Sequence, residues 1–401
     1  MIEAARIKIK LSDNWKWARC GEVIDVRDGT HDTPKYVTSG YPLITSKNLK
    51  TEGIDFSNVS YISKEDHYEI SKRSRVDRGD ILFAMIGTIG NPVIVDVDSE
   101  FSIKNVALFK FSKSPIDAKY FKYLLETPII TEQLNSEQRG GTQKFVSLNV
   151  LRNIVIPYPP IEEQHRIAAI LDKADAVRRK RQSAIALTEE LWRSAFLEMF
   201  GDPVTNSKGW EFFELQAVTE CIVDCPHSTP DWTDNGIICL RTSNLTEGGW
   251  NWDDTRYVTE EDYRNRTSRA EIFSGDIILS REGTVGIAAI VPDEFQVCMG
   301  QRLVQVRPEQ RLIKPSYLLR LLLWQLAPER IGKLMRGSTS QHLNVKDLRS
   351  MSIPVASLEL QEQFSKLARQ IDALKEKMIK SESEQEKNFN SLLQRAFRGE
   401  L

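Results

Sequence analysis

The sequence lacks the features that mark disulfide-rich, zinc-binding and strongly charged proteins. Its 401 residues include five cysteines, an odd number without paired C-x-x-C spacing, so neither a disulfide framework nor a zinc finger is expected. Cys221, Cys225 and His227 lie close together in the chain, but that spacing alone does not predict a metal site. A net charge of −2 does not indicate a nucleic-acid partner, although such a total can combine a basic face with an acidic one.

Long apolar runs are also absent. No run reaches the roughly 18 residues of a membrane helix, and the opening "MIEAARIKIKLSDNW" has no apolar core of a signal peptide. The hydrophobic share of 41% and the charged share of 27% are typical of a globular chain. We therefore expect a cytoplasmic protein without a membrane contact, and the length favours two domains.

The sequence shows no catalytic signature. A phosphate loop of the form G-x-x-x-x-G-K-[S/T] is missing, so no ATP site is predicted. A catalytic adenine methyltransferase would need a tetrapeptide like N-P-P-Y, and neither "GNPVIV" at 90 nor "PYPPIE" at 157 fits it. The segments "GTIG" (87–90) and "GTVG" (283–286) stand between two strand-like runs, which argues against a dinucleotide site. No catalytic residue is predicted in this chain.

What the sequence does contain is an internal repeat. "DGTHDTPKYVTSGYPLITSKNL" (28–49) aligns with "DCPHSTPDWTDNGIICLRTSNL" (224–245), and "GDILFAMIGTIGNPVIV" (79–95) aligns with "GDIILSREGTVGIAAIV" (275–291), both at an offset of 196 residues. Further along, "LRNIVIP" (151–157) aligns with "LRSMSIP" (348–354) one residue out of step, which indicates a one-residue insertion. The chain is therefore composed of two homologous halves.

Each half predicts a mixed domain followed by a long helix. Short apolar runs such as "YPLIT" and "VALFKF" are typical of strands, whereas "SPIDAKYFKYLLET" has helical spacing. About forty residues after Pro160, and again after Ser357, carry an apolar stripe without Pro or Gly, and the second stripe steps by four and three as in a coiled coil. We predict an α+β fold with two homologous mixed α/β domains, 1–160 and 203–357. Two long helices, 161–202 and 358–401, should separate the domains and form an antiparallel coiled coil with pseudo-twofold symmetry. B-DNA has the same kind of twofold axis.

The repeated motifs resemble those of the DNA-specificity subunit of type I restriction-modification systems. They are "GD-I-L", "GT-x-G" and "RG-x-T", then "EEQ" (162–164) at a helix start and "FGDP" (200–203) or "FRGEL" (397–401) at a helix end. The resemblance covers nearly the whole chain and implies that the two domains are target-recognition domains, similar in fold to the recognition domain of adenine methyltransferases. It also implies that the helices are spacers that dock the methyltransferase subunits, with partner contacts at Glu163, Gln164, Phe200 and Phe397.

The function that this resemblance implies is non-catalytic. Such a subunit reads an asymmetric bipartite site on double-stranded DNA and directs adenine methylation and restriction by its partners, two methyltransferase (M) subunits and the restriction/translocase (R) subunits. The chain would hold no cofactor itself, with S-adenosylmethionine, ATP and Mg expected in the partner subunits. Two alternatives stay open: the same role in a methyltransferase-nuclease system without a motor subunit, and a coiled-coil scaffold that binds proteins.

Candidate DNA contacts that both halves keep suit the fold or phosphate contacts, because identical side chains cannot read different bases. These are His31 and His227, Thr33 and Thr229, Asn48 and Asn244, Thr88 and Thr284, Arg139 and Arg336, and Thr142 and Thr339, with Lys47 and Arg241 as further basic candidates.

Positions that differ between the halves are the candidate base readers. They are Met85 against Arg281, Ile86 against Glu282, Lys104 and Asn105 against Gly300 and Gln301, and Gln143 and Lys144 against Ser340 and Gln341. Arg302 is a further candidate DNA contact. Base edges allow Arg to pair with guanine, Asn or Gln with adenine, and Glu with cytosine. For any one of these residues the alternative is ordinary surface exposure, and for the "GT-x-G" segments it is a plain hairpin turn.

Overall fold

The structure, a computed structural model, describes residues 14–136, 145–293, 295–332, 335–336 and 342–401. Its contacts divide the chain into two compact units: unit 1 is Met1–Gln182 with Lys380–Leu401, and unit 2 is Ser183–Ile379. Each unit therefore contains one mixed domain and part of each long helix. The assignment of recognition domains and spacers to 1–160, 161–202, 203–357 and 358–401 stays a prediction.

The first half of the chain forms twelve strands and six helices among its described residues. The strands are β1 Lys16–Arg19, β2 Asp25–Asp28, β3 Tyr36–Val37, β4 Tyr41–Ile44, β5 Leu49–Lys50, β6 Gly53–Ile54, β7 Ser60–Ile62, β8 Ile81–Ala84, β9 Gly90–Ile94, β10 Ser102–Ile103, β11 Val106–Lys110 and β12 Val155–Tyr158. The helices are α1 Cys20–Val23, α2 Lys64–Ser74, α3 Ala118–Leu125, α4 Pro128–Ser136, α5 Leu148–Asn153 and α6 Ile161–Phe200, with a 3-10 turn at Ser46–Asn48.

The second half follows the same order. Its strands are β13 Glu211–Glu214, β14 Thr219–Asp224, β15 Trp232–Thr233, β16 Ile237–Leu240, β17 Leu245–Thr246, β18 Gly249–Trp250, β19 Tyr257–Val258, β20 Ile277–Ser280, β21 Ala288–Ile290, β22 Val297–Met299, β23 Leu303–Pro308, β24 Met335–Arg336, β25 His342–Leu343 and β26 Ser352–Val355. Its helices are α7 Glu260–Arg266, α8 Pro315–Gln325, α9 Pro328–Ile331, α10 Val345–Arg349 and α11 Leu358–Ala396, with 3-10 turns at Leu215–Val218 and Thr242–Asn244. No helix in the described ranges combines the length and apolar character that crossing a membrane requires.

A four-stranded antiparallel sheet, in the order β2-β11-β8-β9, lies at the centre of unit 1. Successive side chains of β8 and β11 enter different apolar cores, because neighbouring residues of a strand point to opposite faces. Phe83 and Phe109 pack in the core that includes α3, whereas Leu82 and Leu108 pack in the core that includes β4 and β10. Both faces of the sheet are thus covered, which explains why these strands are continuous apolar runs.

Unit 2 repeats this arrangement. Its central sheet has the order β14-β23-β20-β21, and its smaller sheet, β15-β19-β16-β22, has the same neighbours as β3-β7-β4-β10 in unit 1. The pairs β4–β10 and β16–β22 are both parallel, whereas the other pairs in these sheets are antiparallel. The duplication predicted from the repeat, and the α+β class, are confirmed.

The repeated Gly-Asp pair closes the turn before the inner strand of each central sheet. Asp80 accepts a hydrogen bond from the backbone N–H of Asp77 (2.8 Å) and pairs with Lys110 Nζ at 2.5 Å. Asp276 accepts from the backbone N–H of Phe273 (2.9 Å) and pairs with Arg307 Nε at 2.8 Å. Each carboxylate therefore stabilises a turn and neutralises a cation on the neighbouring strand of the sheet, β11 or β23. This double role explains why both halves have the aspartate.

The long helices α6 and α11 pack beside each other in unit 1. Phe389 of α11, and Phe397 directly after it, share an apolar core with Ile167 and Leu171 of α6. The segments run antiparallel there, because Arg166 Nη2 donates to the Leu401 carbonyl (2.9 Å) and Arg178 Nη1 lies 3.3 Å from Glu386 Oε2. This confirms the antiparallel pairing within that unit.

In unit 2 the end of α6 packs against the beginning of α11. The rings of Trp192, Phe196 and Phe200 each lie within 5.2 to 5.6 Å of the Phe364 ring. The predicted apolar seam of α11 is only partly covered, since Phe364 and Ile371 are buried but Leu374 is exposed. The helix pairing thus depends on aromatic contacts at the domain as well as on heptad positions.

Candidate nucleic-acid interface

Four strand ends of the central sheet meet at one edge of unit 1. Strands β2 and β8 end there, at Asp28 and Ala84, and β9 and β11 begin there, at Gly90 and Val106. Antiparallel neighbours place the end of one strand beside the start of the next, so their loops gather. We call residues 28–33, 85–90 and 104–105 the loop edge of unit 1. The equivalent loop edge of unit 2 consists of residues 224–229, 281–287 and 300–302.

The chain that follows each "RG-x-T" motif returns to the loop edge. In unit 1, Ile86 forms a β-bridge with Phe145, and Val146 N donates to the Met85 carbonyl (3.0 Å). In unit 2, Glu282 forms the matching bridge with His342, and Leu343 N donates to the Arg281 carbonyl (2.8 Å). Several candidate contacts lie outside the described residues, namely Arg139, Thr142, Gln143, Lys144, Thr339, Ser340 and Gln341. Arg336 pairs through its backbone with His342 in β24–β25.

The loop edge of unit 1 brings four predicted residues together. His31 Nε2 lies 2.9 Å from Asp28 Oδ2, and His31 Nδ1 lies 3.0 Å from Asn105 Oδ1. Asp28 is buried and also contacts the guanidinium of Arg73, whereas the His31 side chain is 51% exposed. Lys104 Nζ contacts Thr33 Oγ1. The arrangement places an imidazole, an amide and an ammonium group beside one another, and each of these groups can donate hydrogen bonds.

The loop edge of unit 2 has the same frame with other side chains. His227 Nε2 lies 3.6 Å from Asp224 Oδ2, and Gln301 Nε2 donates to the His227 carbonyl (2.6 Å). Arg281 Nε lies 3.0 Å from Asp224 Oδ1, and the Arg281 side chain is only 14% exposed. Arg281 therefore neutralises Asp224 within the protein, which is not the open position that a base reader needs.

Four predicted DNA contacts are buried, namely Met85, Asn48, Asn244 and Gly300, and the structure contradicts them. Met85 is 1% exposed and packs in the larger apolar core of unit 1. Asn48 and Asn244 are buried inside their 3-10 turns, where each side chain is fully hydrogen-bonded to backbone. For example, Asn48 Oδ1 accepts from Thr45 N (3.0 Å) and its Nδ2 donates to the carbonyls of Asp55 and Asn58 (3.1 and 3.0 Å). Both halves keep this asparagine because it shapes a turn, and it has no surface left for DNA.

Other candidates are exposed, or are held by acidic partners. Lys47 is exposed in the 3-10 turn Ser46–Asn48, and Thr229 is exposed in a loop. Arg241 pairs with Asp254 Oδ2 at 2.5 Å, which leaves less of its charge for a phosphate. Arg302 and Glu282 form a looser pair, with Nε and Oε2 3.6 Å apart, and the Arg302 side chain is 59% exposed.

The "GT-x-G" segments form tight turns that expose their threonines. Thr88 and Thr284 are exposed, and Gly87 and Gly283 have φ values of 78° and 80°. At Gly286 an added Cβ would stand 2.4 Å from the Leu326 carbonyl oxygen, so this position accepts only glycine. The turns join β8 to β9 and β20 to β21, so they are hairpin turns in structure, and their contact with phosphate stays a prediction.

Three of the four predicted partner contacts are also buried. Gln164, Phe200 and Phe397 are at most 2% exposed, and they hold the long helices to the domains, so their side chains offer no surface to a partner protein. Glu163 is partly exposed, and a two-pronged hydrogen bond from Arg166 (both 2.7 Å) lowers its pKa. Within the described ranges, no group of three His, Cys, Asp or Glu residues could hold a metal.

Sequence reasoning missed Arg73, which reaches Asp28 from α2. The repeat carried a signal for it, because Arg73 and Arg269 stand at the same offset as the other matched residues. That signal indicated a shared residue but not its role, since Arg269 is exposed in unit 2.

Two copies of one fold, each with a polar loop edge, define a duplicated recognition protein. The chain matches the family described as the type I restriction modification DNA specificity domain at residues 12–187 and again at 207–386. It is 22% identical to the specificity subunit of the type I restriction enzyme MjaVIII of Methanocaldococcus jannaschii, over 98% of this chain and 94% of that one. It is also 22% identical to the EcoBI specificity subunit of Escherichia coli, over 92% of this chain and 85% of the relative.

Solved structures agree on the fold. The S subunit of a type I restriction-modification system from M. genitalium matches with a TM-score of 0.57 at 16% identity, over 97% of this chain and 98% of that chain. A chain from a study of complex assembly and conformational transition in the type I system matches with a TM-score of 0.56 at 22% identity, over 98% and 100%. The chain therefore belongs to the family of type I restriction-modification specificity subunits, whose role is DNA sequence recognition.

Proposed function

We propose that this chain is the non-catalytic specificity subunit of a type I restriction-modification complex and that it reads an asymmetric bipartite site on double-stranded DNA. One observation carries the proposal: unit 1 and unit 2 build the same loop edge on the same sheet and fill it with different polar side chains. A shared frame suits the phosphate backbone, which is the same in every sequence, whereas differing side chains suit different bases.

The loop edges differ in the chemistry they offer. The loop edge of unit 1 includes Lys104 and Asn105, and the loop edge of unit 2 includes Gln301, Arg302 and Glu282. Asn and Gln suit adenine, Arg suits guanine and Glu suits cytosine. Two half-sites of different sequence follow from this difference.

The partners follow from the family. Two M subunits would supply adenine methylation with S-adenosylmethionine, and R subunits would supply restriction with ATP and Mg, while this chain holds no cofactor. Of the residues assigned to partner contact, Glu163 keeps exposed surface for that role.

The test is methylation by the reconstituted complex. The chain is co-purified with the M subunit encoded beside it, S-adenosylmethionine is added, and methylated adenines are mapped on genomic DNA by sequencing. We expect a bipartite motif with two unlike halves, and no methyl transfer by the chain alone. Methyl transfer by the isolated chain, or the same motif when the chain is left out, would overturn the proposal.

Two further measurements separate the alternatives. Restriction that needs no ATP would indicate the system without a motor subunit. Duplex affinity of the purified complex should fall steeply with salt, because bound phosphates release counterions; a chain that binds only proteins would show no duplex binding at any salt.

A further inference from the structure

A residue with left-handed backbone precedes the same strand in each unit. Asn105 (φ 55°) stands before β11, and Arg302 (φ 68°) stands before β23. Among the described residues, the non-glycine positions with positive φ are these two, Asn91 and Asn206. Asparagine tolerates this conformation, whereas arginine adopts it only with strain. Unit 2 therefore keeps a strained arginine at a place where asparagine or glycine would fit better.

The structure also decides which residue of unit 2 corresponds to Asn105. Lys104 and Gly300 match, because Lys104 N donates to the Ile44 carbonyl (2.9 Å) and Gly300 N donates to the Leu240 carbonyl (2.8 Å) at equivalent strand ends. Val106 pairs with Ala84, and Leu303 pairs with Ser280, so the register has advanced by one residue at that point.

The inserted residue of unit 2 therefore lies between Gly300 and Leu303. Conformation identifies Arg302 as the equivalent of Asn105, which makes Gln301 the extra residue. The sequence comparison had paired Asn105 with Gln301, and that pairing is wrong.

The surroundings leave these two side chains available. His31 lies between the buried Asp28 and Asn105, and its Nδ1 lies 3.0 Å from the Asn105 amide oxygen, so this contact does not involve the amide NH2 group of Asn105. The neighbouring Lys104 is tied to Thr33, and Gln301 is tied to the His227 backbone. The Arg302 side chain is 59% exposed, and it forms a loose ion pair with Glu282.

We propose that Asn105 and Arg302 are equivalent base-reading residues of the two loop edges, Asn105 selecting adenine and Arg302 selecting guanine. This inference rests on the proposed function. Asparagine can contact N6 and N7 of adenine together, and arginine can contact O6 and N7 of guanine together. At both positions the left-handed backbone turns the side chain out of the strand direction. At Arg302 the backbone strain is retained because the exposed side chain serves recognition.

Glycine substitutions separate reading from folding. Glycine adopts positive φ without strain, so Arg302→Gly and Asn105→Gly should fold at least as well as the parent chain while losing the reading group. In the reconstituted methyltransferase complex, Arg302→Gly should lose guanine preference at one position of one half-site, by about 5- to 140-fold. Asn105→Gly should lose adenine preference at one position of the other half-site. Arg302→Asn should convert its position from guanine to adenine.

Arg269→Gly is the matched control, because it removes an exposed arginine of unit 2 outside the loop edge and should leave the motif unchanged. The inference is overturned if Arg302→Gly keeps the parental motif, or if it weakens methylation equally at all sequences, which would make Arg302 a phosphate contact. If the parent complex itself methylates without sequence preference, it is the proposed function that fails.

Discussion

Asp28 and Asp224 occupy equivalent positions at the two loop edges, yet a different cation neutralises each. Asp28 contacts Arg73 from α2 and His31, while Asp224 pairs with Arg281 from the strand end. The position that holds Arg281 in unit 2 holds the buried Met85 in unit 1. Asp28 is buried and the Asp224 side chain is 23% exposed, so each carboxylate has little water around it and needs a cationic partner, which can come from a different element in each unit.

This charge exchange leads to a prediction about Arg281, which the sequence had placed among the base readers. Arg281→Met should destabilise unit 2 by about 1 to 3 kcal/mol, because Asp224 loses its cation. Denaturant unfolding measures the loss. Adding Asp224→Asn should recover most of it, because the uncompensated charge is then gone. Arg269→Met, at an exposed arginine, is the control and should change little; equal stability of Arg281→Met and the parent would show that the ion pair contributes nothing.

At the scale of elements, one buried glutamine ties each long helix to its domain. Gln164 Oε1 accepts from Asp117 N (2.8 Å), and its Nε2 donates to the carbonyls of Pro115 and Pro159 (3.0 and 2.9 Å). Gln361 does the same in unit 2, with Lys314 N at 2.7 Å. The last residue of "EEQ" (162–164) and of "ELQ" (359–361) is therefore a connection between the start of a long helix and the loop before α3 or α8.

Loss of this connection should be costly. Gln361→Leu leaves the Lys314 N–H and two carbonyls without their partner, and we expect unit 2 to lose about 2 to 3 kcal/mol. Gln363→Leu removes an exposed glutamine of the same helix turn and should stay within about 0.5 kcal/mol of the parent. Chemical denaturation compares the two variants, and similar stabilities would contradict the role assigned to Gln361.

The contact between α6 and α3 should respond to acid. Burial alone would raise the pKa of Asp172, but hydrogen bonds from Lys119 Nζ (2.6 Å) and Tyr123 Oη (2.8 Å) outweigh it and hold that pKa below its usual value. A lowered pKa in the folded state stabilises the protein above the unfolded pKa of about 3.9, and this stabilisation is lost as pH falls through the folded value.

Asp172→Asn should therefore be less stable than the parent at neutral pH, and the gap should narrow between about pH 5 and pH 3. Thermal unfolding of both proteins across that range is the measurement. Asp202→Asn, on a carboxylate that bonds only nearby backbone, is a control for general acid effects. A gap that stays constant with pH would mean that Asp172 does not titrate as described.

At the scale of the whole molecule, both long helices pass from one unit into the other. The boundary falls after Gln182 in α6 and after Ile379 in α11. If only one helix were lengthened, its contacts with the other helix could not be kept in both units.

Four residues inserted at both places test whether the helices set the distance between half-sites. Each insertion lengthens its helix by about 6 Å, slightly more than one turn, so the apolar stripe is only modestly rotated. At about 3.4 Å per base pair, the spacer between half-sites should grow by one or two base pairs. Methylation-site sequencing should show unchanged half-sites with a longer spacer. Insertion after Gln182 alone should impair assembly, and an unchanged spacer in an active double-insertion complex would exclude the helices as a ruler.

The sequence alone determined the features that rest on local pattern or repetition. Apolar runs and helical stripes predicted the strands and the long helices, and the offset of 196 residues predicted two equal folds. The candidates His31, Thr33, Lys104 and Asn105 lie together at the loop edge of unit 1, and their contact with DNA stays a prediction.

Tertiary structure decided which polar residues are free to act. Asn48 and Asn105 are the same residue type in similar polar stretches, but one is enclosed in a turn and the other stands on a left-handed backbone at the loop edge. Met85 and Arg281 occupy one position, and only their packing shows that neither is an open reader. Burial, backbone handedness and the one-residue shift before β23 depend on contacts between distant segments, and a linear pattern does not record those contacts.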